Sequence, residues 1–406
     1  MIGIIFWLCL LGIFYVYAGY PIILALLASL RPHPRPYASY LPMVTLLITA
    51  YNEQEVIAAK LENSLALDYP RERLQILVAA DGSDDHTVDI VTSYAASGVE
   101  LSFDPARRGK MAAINRAMPL IRNEILIFSD ANNFYEASTL RELVKPFSDP
   151  IVGAVAGSKR VVESDSSLGG ADSLYWRYES FIKKQETRLG SCTGVSGEVF
   201  SLRRELFEAP PDVVINDDFF MALNVLRQGY RLIYIPEACS REPVSLDEHS
   251  EIIRRTRIIA GRYQILGMSI GKLPLRKPLL VWQIVSHKFL RPLVPFAMLG
   301  ALLANFASLI WCIPARLHSL LFLSTPYNWI LLGLQFAFYF LAWLGTRVKL
   351  KGLIGKLLYL PTFLFNSNLA AILGLYGYLT RKSSPIWQKA PRHGYNMEKH
   401  FREDRP

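Results

Sequence analysis

Residues 1–30 contain no Asp, Glu, Lys or Arg, and this charge-free start limits what the chain can become more than any other feature. A helix needs roughly 20 apolar residues to cross the hydrocarbon core of a bilayer, and this stretch exceeds that length. It lacks a basic n-region and a small-x-small cleavage site, so it reads as a retained anchor and not a cleaved signal peptide. Its first flanking charges, Arg31 and Arg35, come after it. The positive-inside rule then sets the amino terminus outside and the following chain in the cytosol. Pro32, Pro34 and Pro36 make a stiff connector.

Long apolar runs return after Leu279, with three further spans expected at about 291–313, about 328–346 and about 357–379. The linker Arg347–Lys356 is basic and is expected in the cytosol. A single crossing by the last span would put the basic tail Arg381–Pro406 outside. That segment is therefore either a crossing with an exceptional tail or an interfacial or re-entrant one. Pro361, Asn366 and Asn368 keep the second option open. Pro274–Leu290 mixes apolar residues with Arg276, Lys277, His287 and Lys288. It reads as a basic amphipathic helix on the headgroups, with a short charged loop as the alternative. The expected division is an anchor at 1–30, a cytosolic domain at 40–270, an interfacial helix at 271–290, a membrane bundle at 291–380 and a tail at 381–406.

Composition narrows the function classes. The chain has 406 residues, 51% hydrophobic and 19% charged, with mean hydropathy +0.21. Ordinary soluble domains carry about 25% charged residues. Disorder, collagen-like repeats and a disulfide-stapled mini-protein are excluded. The net charge of +9 lies largely beside membrane segments, where anionic membrane lipids and not nucleic acid are the nearer partner. The expected spans hold no acid, which speaks against an ion-coupled transporter. Cys9, Cys192, Cys239 and Cys312 show no CxxC or Cys/His spacing, so neither zinc nor disulfides are indicated.

The middle region alternates strand and helix patterns. Strands are expected at Met43–Thr49, Leu74–Ala80, Gly98–Phe103 and Glu124–Phe128. Helices are expected at Glu53–Leu67, Asp85–Ala96 and Lys110–Ile121. Near-continuous apolar runs such as MVTLLIT suit strands buried on both faces of a parallel sheet, and the alternation predicts a doubly wound α/β fold. Ligands in that fold bind beyond the carboxyl ends of the strands. Polar clusters follow three of these strands: Ala50-Tyr51-Asn52-Glu53, Asp81-Gly82-Ser83-Asp84-Asp85 and Ser129-Asp130-Ala131-Asn132. Arg107-Arg108-Gly109-Lys110 opens a helix between them. No dinucleotide fingerprint or Walker loop is present. An acid-rich site that must bind phosphate implies a divalent cation, Mg²⁺ or Mn²⁺, on these oxygen ligands.

The ordered series TAYNE, DGSDD, RRGK, SDAN and NDDFFMALNVLRQGYRLIYIPEA resembles the membrane-bound family 2 glycosyltransferases. That family includes bacterial polysaccharide, cellulose, chitin and hyaluronan synthases and ceramide glucosyltransferase. The resemblance runs from about Val44 to Gln264 and takes in the flanking helices. It implies a GT-A-type, Rossmann-like nucleotide-sugar-binding domain inserted between transmembrane helices. Ala50, Tyr51 and Glu53 would line the nucleotide pocket, and Asp81 would accept a hydrogen bond from uracil. A plain turn is the ordinary reading of Asp81-Gly82-Ser83. Lys110 would contact the diphosphate or sugar, and Asp130 and Asn132 would hold the metal. The amide of Asn132 stands where the family usually has a carboxylate. The ordinary alternative for SDAN is a helix cap.

Asp218 matches the family's general base, with Asp217 the lesser candidate. The alternative for Asp218 is an N-cap for a helix over Phe219–Gln228. Gly194, Ser196 and Gly197 would face the acceptor. Arg257, in Arg254–Ile258, would contact the diphosphate, and Ile258 replaces the family's tryptophan. Trp176 or Tyr263 are the aromatic candidates to replace it.

The resemblance implies an inverting transferase of the inner or plasma membrane. It would move a sugar from a cytosolic nucleotide sugar, UDP-linked, to a glycan chain. Its rival within the class is single transfer to a lipid, such as a polyprenyl phosphate or ceramide. A rival outside it is a membrane scaffold with a decayed site, which Asn132 and Ile258 alone would support.

Overall fold

The computed structural model describes residues 1–32, 36–162, 167–211, 213–243, 248–269, 273–310, 319–348 and 352–380. Cys312, Lys349, Lys351 and the tail at 381–406 lie outside these described residues. The chain divides into two compact units. Among the described residues, one is helical and takes in 1–32, 167–171 and those from 252 to 380; the other takes in 36–162 and those from 172 to 251.

The second unit is built on a sheet of eight strands. They are β1 (Val44–Ala50), β2 (Leu74–Asp81), β3 (Val99–Asp104), β4 (Ile125–Asp130), β5 (Phe134–Tyr135), β6 (Val152–Val162), β7 (Phe200–Arg203) and β8 (Arg231–Pro243). Their order is β3-β2-β1-β4-β7-β6-β8-β5. The first four are mutually parallel. β7 runs antiparallel between β4 and β6, and β6 pairs with β8 in parallel. The expected doubly wound half is therefore present, joined to a mixed half. The chain order reverses between β1 and β4, the topological switch point where such sheets bind ligands.

The apolar runs form strands because both sheet faces are covered. Leu46, Leu47, Ile48, Ile76, Leu77 and Val78 are fully buried, each side chain contributing about 1.5–3 kcal/mol on leaving water. The helices are shorter than their periodicity suggests: Ile57–Leu65, Thr87–Ser93 and Lys110–Ala117. Residues 51–56 turn instead of opening the first helix. Asn52 is left-handed there (φ 52°), and the Glu53 carbonyl accepts the amides of Val56 and Ile57.

In the helical unit, the amino-terminal stretch is one run of helix over Ile2–Ser29. Among the described residues, three helices are long and apolar enough to cross a membrane: Ile2–Ser29, Pro278–Ile310 and Tyr327–Arg347. The last helix spans Gly352–Leu379 with Pro361 inside it. Large apolar side chains such as Leu8, Leu11, Leu299, Leu303, Leu334 and Phe340 face outward. Small and polar groups face inward: Ala301, Asn305 and Ser308 are buried, and Thr362 donates from its hydroxyl to the Ala342 carbonyl at 3.0 Å. This inverted pattern suits an apolar solvent, where each buried polar group needs a partner within the protein.

The stretch 274–290 departs from its expectation. It continues into the span Pro278–Ile310, and its His287 and Lys288 are buried and not on an open basic face. Tyr15 explains part of this, since its hydroxyl meets Ser286 at 2.7 Å and accepts from the Trp282 indole at 2.8 Å. The polar side of that stretch is used for packing.

Candidate active site

The loops after β1 and β2 are tied together before any ligand is considered. The Asn52 amide donates to Asp84 at 2.6 Å and accepts from the Asp84 backbone N–H at 3.0 Å. The Asn52 N–H donates to the Ser83 hydroxyl at 3.1 Å. Asp85 accepts from the amides of Gln54 and Thr87, so it fastens the start of Thr87–Ser93. Of the DGSDD cluster, only Asp81 lines the pocket at the switch point.

Asp81 accepts the backbone N–H of Arg108 at 3.0 Å on one oxygen and that of Gly109 at 2.7 Å on the other. It thus folds the Arg107–Lys110 turn over the end of β2. Each oxygen keeps a second lone pair for a ligand donor. Gly82 must be glycine here: its φ is +63°, and a Cβ would lie 2.6–2.7 Å from the Arg107 backbone and Cβ.

The pocket is lined by Ala50, Tyr51, Glu53, Asp81, Lys110, Asp130 and Asn132, all expected from sequence, and also by Thr49, Arg107 and Gly109. Its free volume is about 30 Å³, room for one or two waters. The Arg107 guanidinium lies 3.7 Å from the centre of the Tyr51 ring, so the face on which a base would stack is covered.

At its floor, Lys110 pairs with Asp130 Oδ1 at 2.6 Å, and Thr49 donates to the same oxygen at 3.0 Å. Burial raises the Asp130 pKa, but Lys110 and Thr49 outweigh it and hold the carboxyl below the usual range. Burial likewise lowers Lys110, but the charges of Asp130, Asp217 and Asp218 hold it above the ordinary lysine value. One ammonium therefore pairs with the SDAN loop and feels the charge of the NDD segment.

Asp217 and Asp218 open the helix Asp217–Arg227, whose N-cap is Asn216. This corrects the cap reading of Asp218, which sits inside the first turn and accepts the Phe219 N–H at 2.6 Å. Burial first, then the neighbouring charge of Asp217, pushes Asp218 up to about 6, against the pull of Phe219 N–H and Lys110. SDAN is not a cap either: β5 follows it, and the next helix starts after Ser138.

The segment holding Gly194, Ser196 and Gly197 is held from behind by Glu186. This buried carboxylate accepts the Thr193 N–H at 2.8 Å and the Thr193 hydroxyl at 3.0 Å. Gly197 lies against Asp218: a Cβ on it would be 3.2 Å from Asp218 Cβ and 3.5 Å from Oδ2. Gly197→Ala is therefore expected to displace the carboxylate by a few tenths of an ångström. A tenfold to hundredfold fall in kcat is the order expected for misplaced reacting groups. Donor KM should stay near native, and steady-state kinetics checks the split.

Arg257 lies on the helix Glu248–Ser269, in the portion that belongs to the helical unit. Tyr263 does not serve as a free aromatic platform, because its ring is buried and its hydroxyl donates to the Pro292 carbonyl at 2.6 Å. Trp176 remains, on the α/β unit, with the Lys159 ammonium 5.7 Å from its ring centre.

Three charged groups near the site escaped the sequence reading. Lys159 pairs with Glu198 at 3.3 Å, and Glu198 bears electrostatically on Asp218. Lys60 is fully buried, donates to the Asn133 carbonyl and lies 4.4 Å from the centre of the Tyr135 ring. The legible signal for Lys60 was its place in the buried stripe Ile57, Lys60, Leu61, Ser64. Burial lowers its pKa to about 7, against the attraction of Asp130. Between pH about 7 and the unfolded value, the unfolded chain binds a proton that the folded one does not. Native stability should therefore rise with pH across that window. Lys60→Met should flatten this rise, read as thermal midpoints at pH 7 and pH 9.

The residues fit a hard cation in part. Asp130 accepts both of its hydrogen bonds on Oδ1, which leaves Oδ2 for a metal, with the Asn132 amide beside it in the same pocket. Among the described residues, no group of three or more His, Cys, Asp or Glu makes a metal cage. One carboxylate and an amide suit an ion whose other ligands are diphosphate oxygens and waters.

A parallel sheet with its switch-point pocket, flanked by a mixed half that carries paired acids, defines a GT-A glycosyltransferase fold. Residues 42–259 match the family described as "Glycosyltransferase like family 2", and the chain belongs to it. It is 29% identical over 219 residues to poly-beta-1,6-N-acetyl-D-glucosamine synthase of Staphylococcus aureus, covering 52% of each chain. It is 28% identical over 225 residues to the probable glycosyltransferase YdaM of Bacillus subtilis, covering 52% of this chain and 53% of that one. The chain thus spans about half the length of the curated relatives it matches. Among solved structures, the mannosyltransferase PcManGT of Pyrobaculum calidifontis, in complex with GDP-Man and Mn²⁺, superposes with a TM-score of 0.72. That match has 22% identity and covers 94% of this chain and 100% of that one, and it establishes the fold.

Proposed function

We propose that the protein is an inverting membrane glycosyltransferase that takes a sugar from a nucleotide sugar, UDP-linked, in the cytosol and adds it to a growing glycan. The observation that carries this reading is the Lys110 ammonium, which pairs with Asp130 at 2.6 Å and feels the charges of Asp217 and Asp218. It brings a diphosphate-binding floor and a base into one electrostatic unit. Asp218 takes the proton of the acceptor hydroxyl as that oxygen attacks the anomeric carbon. The sugar–phosphate bond breaks, and the electron pair leaves with the nucleoside diphosphate. Lys110 stabilises the charge that develops there. Tyr51 offers a ring for the base once Arg107 moves aside, and Asp81 offers its free lone pairs to the base edge. Gly194, Ser196 and Gly197 leave room for the acceptor. Asp130 and Asn132 would hold a divalent cation, which supplies Lewis-acid stabilisation of the diphosphate. Arg257 is a further candidate contact to the diphosphate.

The glycan acceptor follows the similarity to the S. aureus synthase, and the cation follows the Mn²⁺ bound by PcManGT. The test is nucleoside diphosphate release from a panel of UDP- and GDP-sugars by the purified full chain. Release should be strongest with a UDP-sugar and should fall at least tenfold when divalent ions are chelated, then recover with Mn²⁺ or Mg²⁺. Equal release from every donor, or none with any, would overturn the reading.

A further inference from the structure

A second and larger cavity in the α/β unit, about 550 Å³, lies between β6, β8 and the helix Ser167–Leu189. Its walls carry five cations, Lys159, Arg160, Arg177, Lys183 and Lys184, together with Trp176, Phe181 and Tyr234. Two of the cations are neutralised, Lys159 by Glu198 and Arg160 by Glu136, both at 3.3 Å. Among the described residues, Arg177, Lys183 and Lys184 form no ion pair.

Lys183 is the telling one. It is 4% exposed, and its one described partner is the Tyr234 ring, 5.1 Å from ammonium to ring centre. A nearly buried ammonium without a carboxylate is costly unless something anionic meets it. Long basic side chains usually keep their heads in water, but this one lines a cavity beside two uncompensated cations. Arg177 and the two lysines supply the many N–H donors that phosphate oxygens accept, and the aromatic walls suit an apolar or ring-bearing remainder. Lys159 closes the wall toward the site already described, since it pairs with Glu198, whose neighbour Gly197 lies against Asp218.

We propose that this cavity binds the phosphate group of a phosphate-bearing ligand, seated on Arg177, Lys183 and Lys184 on the acceptor side of Asp218. That placement, though not the anion site itself, rests on the reading of Asp218 as the base. The same chemistry is offered by a lipid phosphate or by a soluble phosphate.

Calorimetry on the full chain in zwitterionic nanodiscs tests this with octyl phosphate, inorganic phosphate and octanol, after subtraction of empty discs. Saturable binding of octyl phosphate is expected, with none of octanol. Lys183→Met should weaken it at least tenfold. Lys184→Glu should do the same, and because Lys184 is exposed, that variant tests the site even if the buried one fails to fold. Octyl phosphate binding tenfold tighter than inorganic phosphate assigns a lipid phosphate, and equal binding assigns a soluble one. No saturable binding of either anion, or native affinity in Lys184→Glu, overturns the proposal. UDP binding is measured in parallel on the same samples. It should be native in Lys184→Glu and weakened in Asp81→Asn, so a failure of the donor reading appears in the UDP arm alone.

Discussion

Asp218→Asn is expected to lower kcat by about 10²- to 10⁴-fold, the usual contribution of a positioned general base, with donor KM close to native. The amide keeps the volume and can still accept the Phe219 N–H, but it cannot take a proton. The native enzyme should also show an acid limb. Burial and Asp217 raise Asp218 to about 6, so its reactive, deprotonated form is lost as pH falls below that value. Activity should drop about tenfold per pH unit below about 6 and level off above it. In the variant the residual rate should lose this limb. The sign for stability is opposite. A carboxyl raised above its unfolded value binds a proton more tightly when folded, so it opposes folding as pH rises through that window. Asp218→Asn should therefore melt higher than the native protein at pH 8. A variant that turns over like the native enzyme would remove Asp218 from the mechanism.

Asp81→Asn is expected to have the second large effect, and on binding rather than on turnover. Its carboxylate holds two backbone donors, Arg108 N–H and Gly109 N–H, one on each oxygen. An amide can satisfy one of them and presents an N–H to the other. A buried donor left without a partner costs about 1–3 kcal/mol, and here the loss falls on the turn that carries Lys110. Donor affinity should weaken roughly five- to hundredfold, at about 1.4 kcal/mol per tenfold. Calorimetry with UDP measures it. Native UDP affinity in this variant would show that the Arg107–Lys110 turn is not part of the donor site.

The two predictions separate the halves of the site. Asp81 stands on the parallel half of the sheet, at the end of β2. Asp218 stands at the start of Asp217–Arg227, after β7. Lys110 lies between them, so Lys110 substitutions should disturb both binding and turnover.

Much of the site was legible because parallel α/β sheets place their ligands by rule. Once β1, β2 and β4 were recognised from apolar runs, the polar residues just after them had to share an edge, and Ala50, Tyr51, Glu53, Asp81, Asp130 and Asn132 do line one pocket. Lys110 was legible for a similar reason, as the first residue of the helix Lys110–Ala117. The boundaries of the helices were less legible. Side chains from other loops end them, as Ser83 and Asp84 do for the turn at Asn52.

By itself the sequence determined the charge-free amino-terminal stretch, the carboxy-terminal apolar runs and the order of motifs along an α/β domain. These are local properties: hydropathy over one span, period over one strand, and residue type at one turn. The tertiary structure alone decided the rest. It turned His287 and Lys288 inward, put Tyr263 onto Pro292, buried Lys60 beneath the SDAN loop and left Lys183 facing a cavity without an ion pair among the described residues. The physical reason is that charge and burial are set by neighbours distant in sequence. The same lysine is a solvated cation on a surface, a weak base near neutral pH in a core, or an anion receptor at a cavity wall.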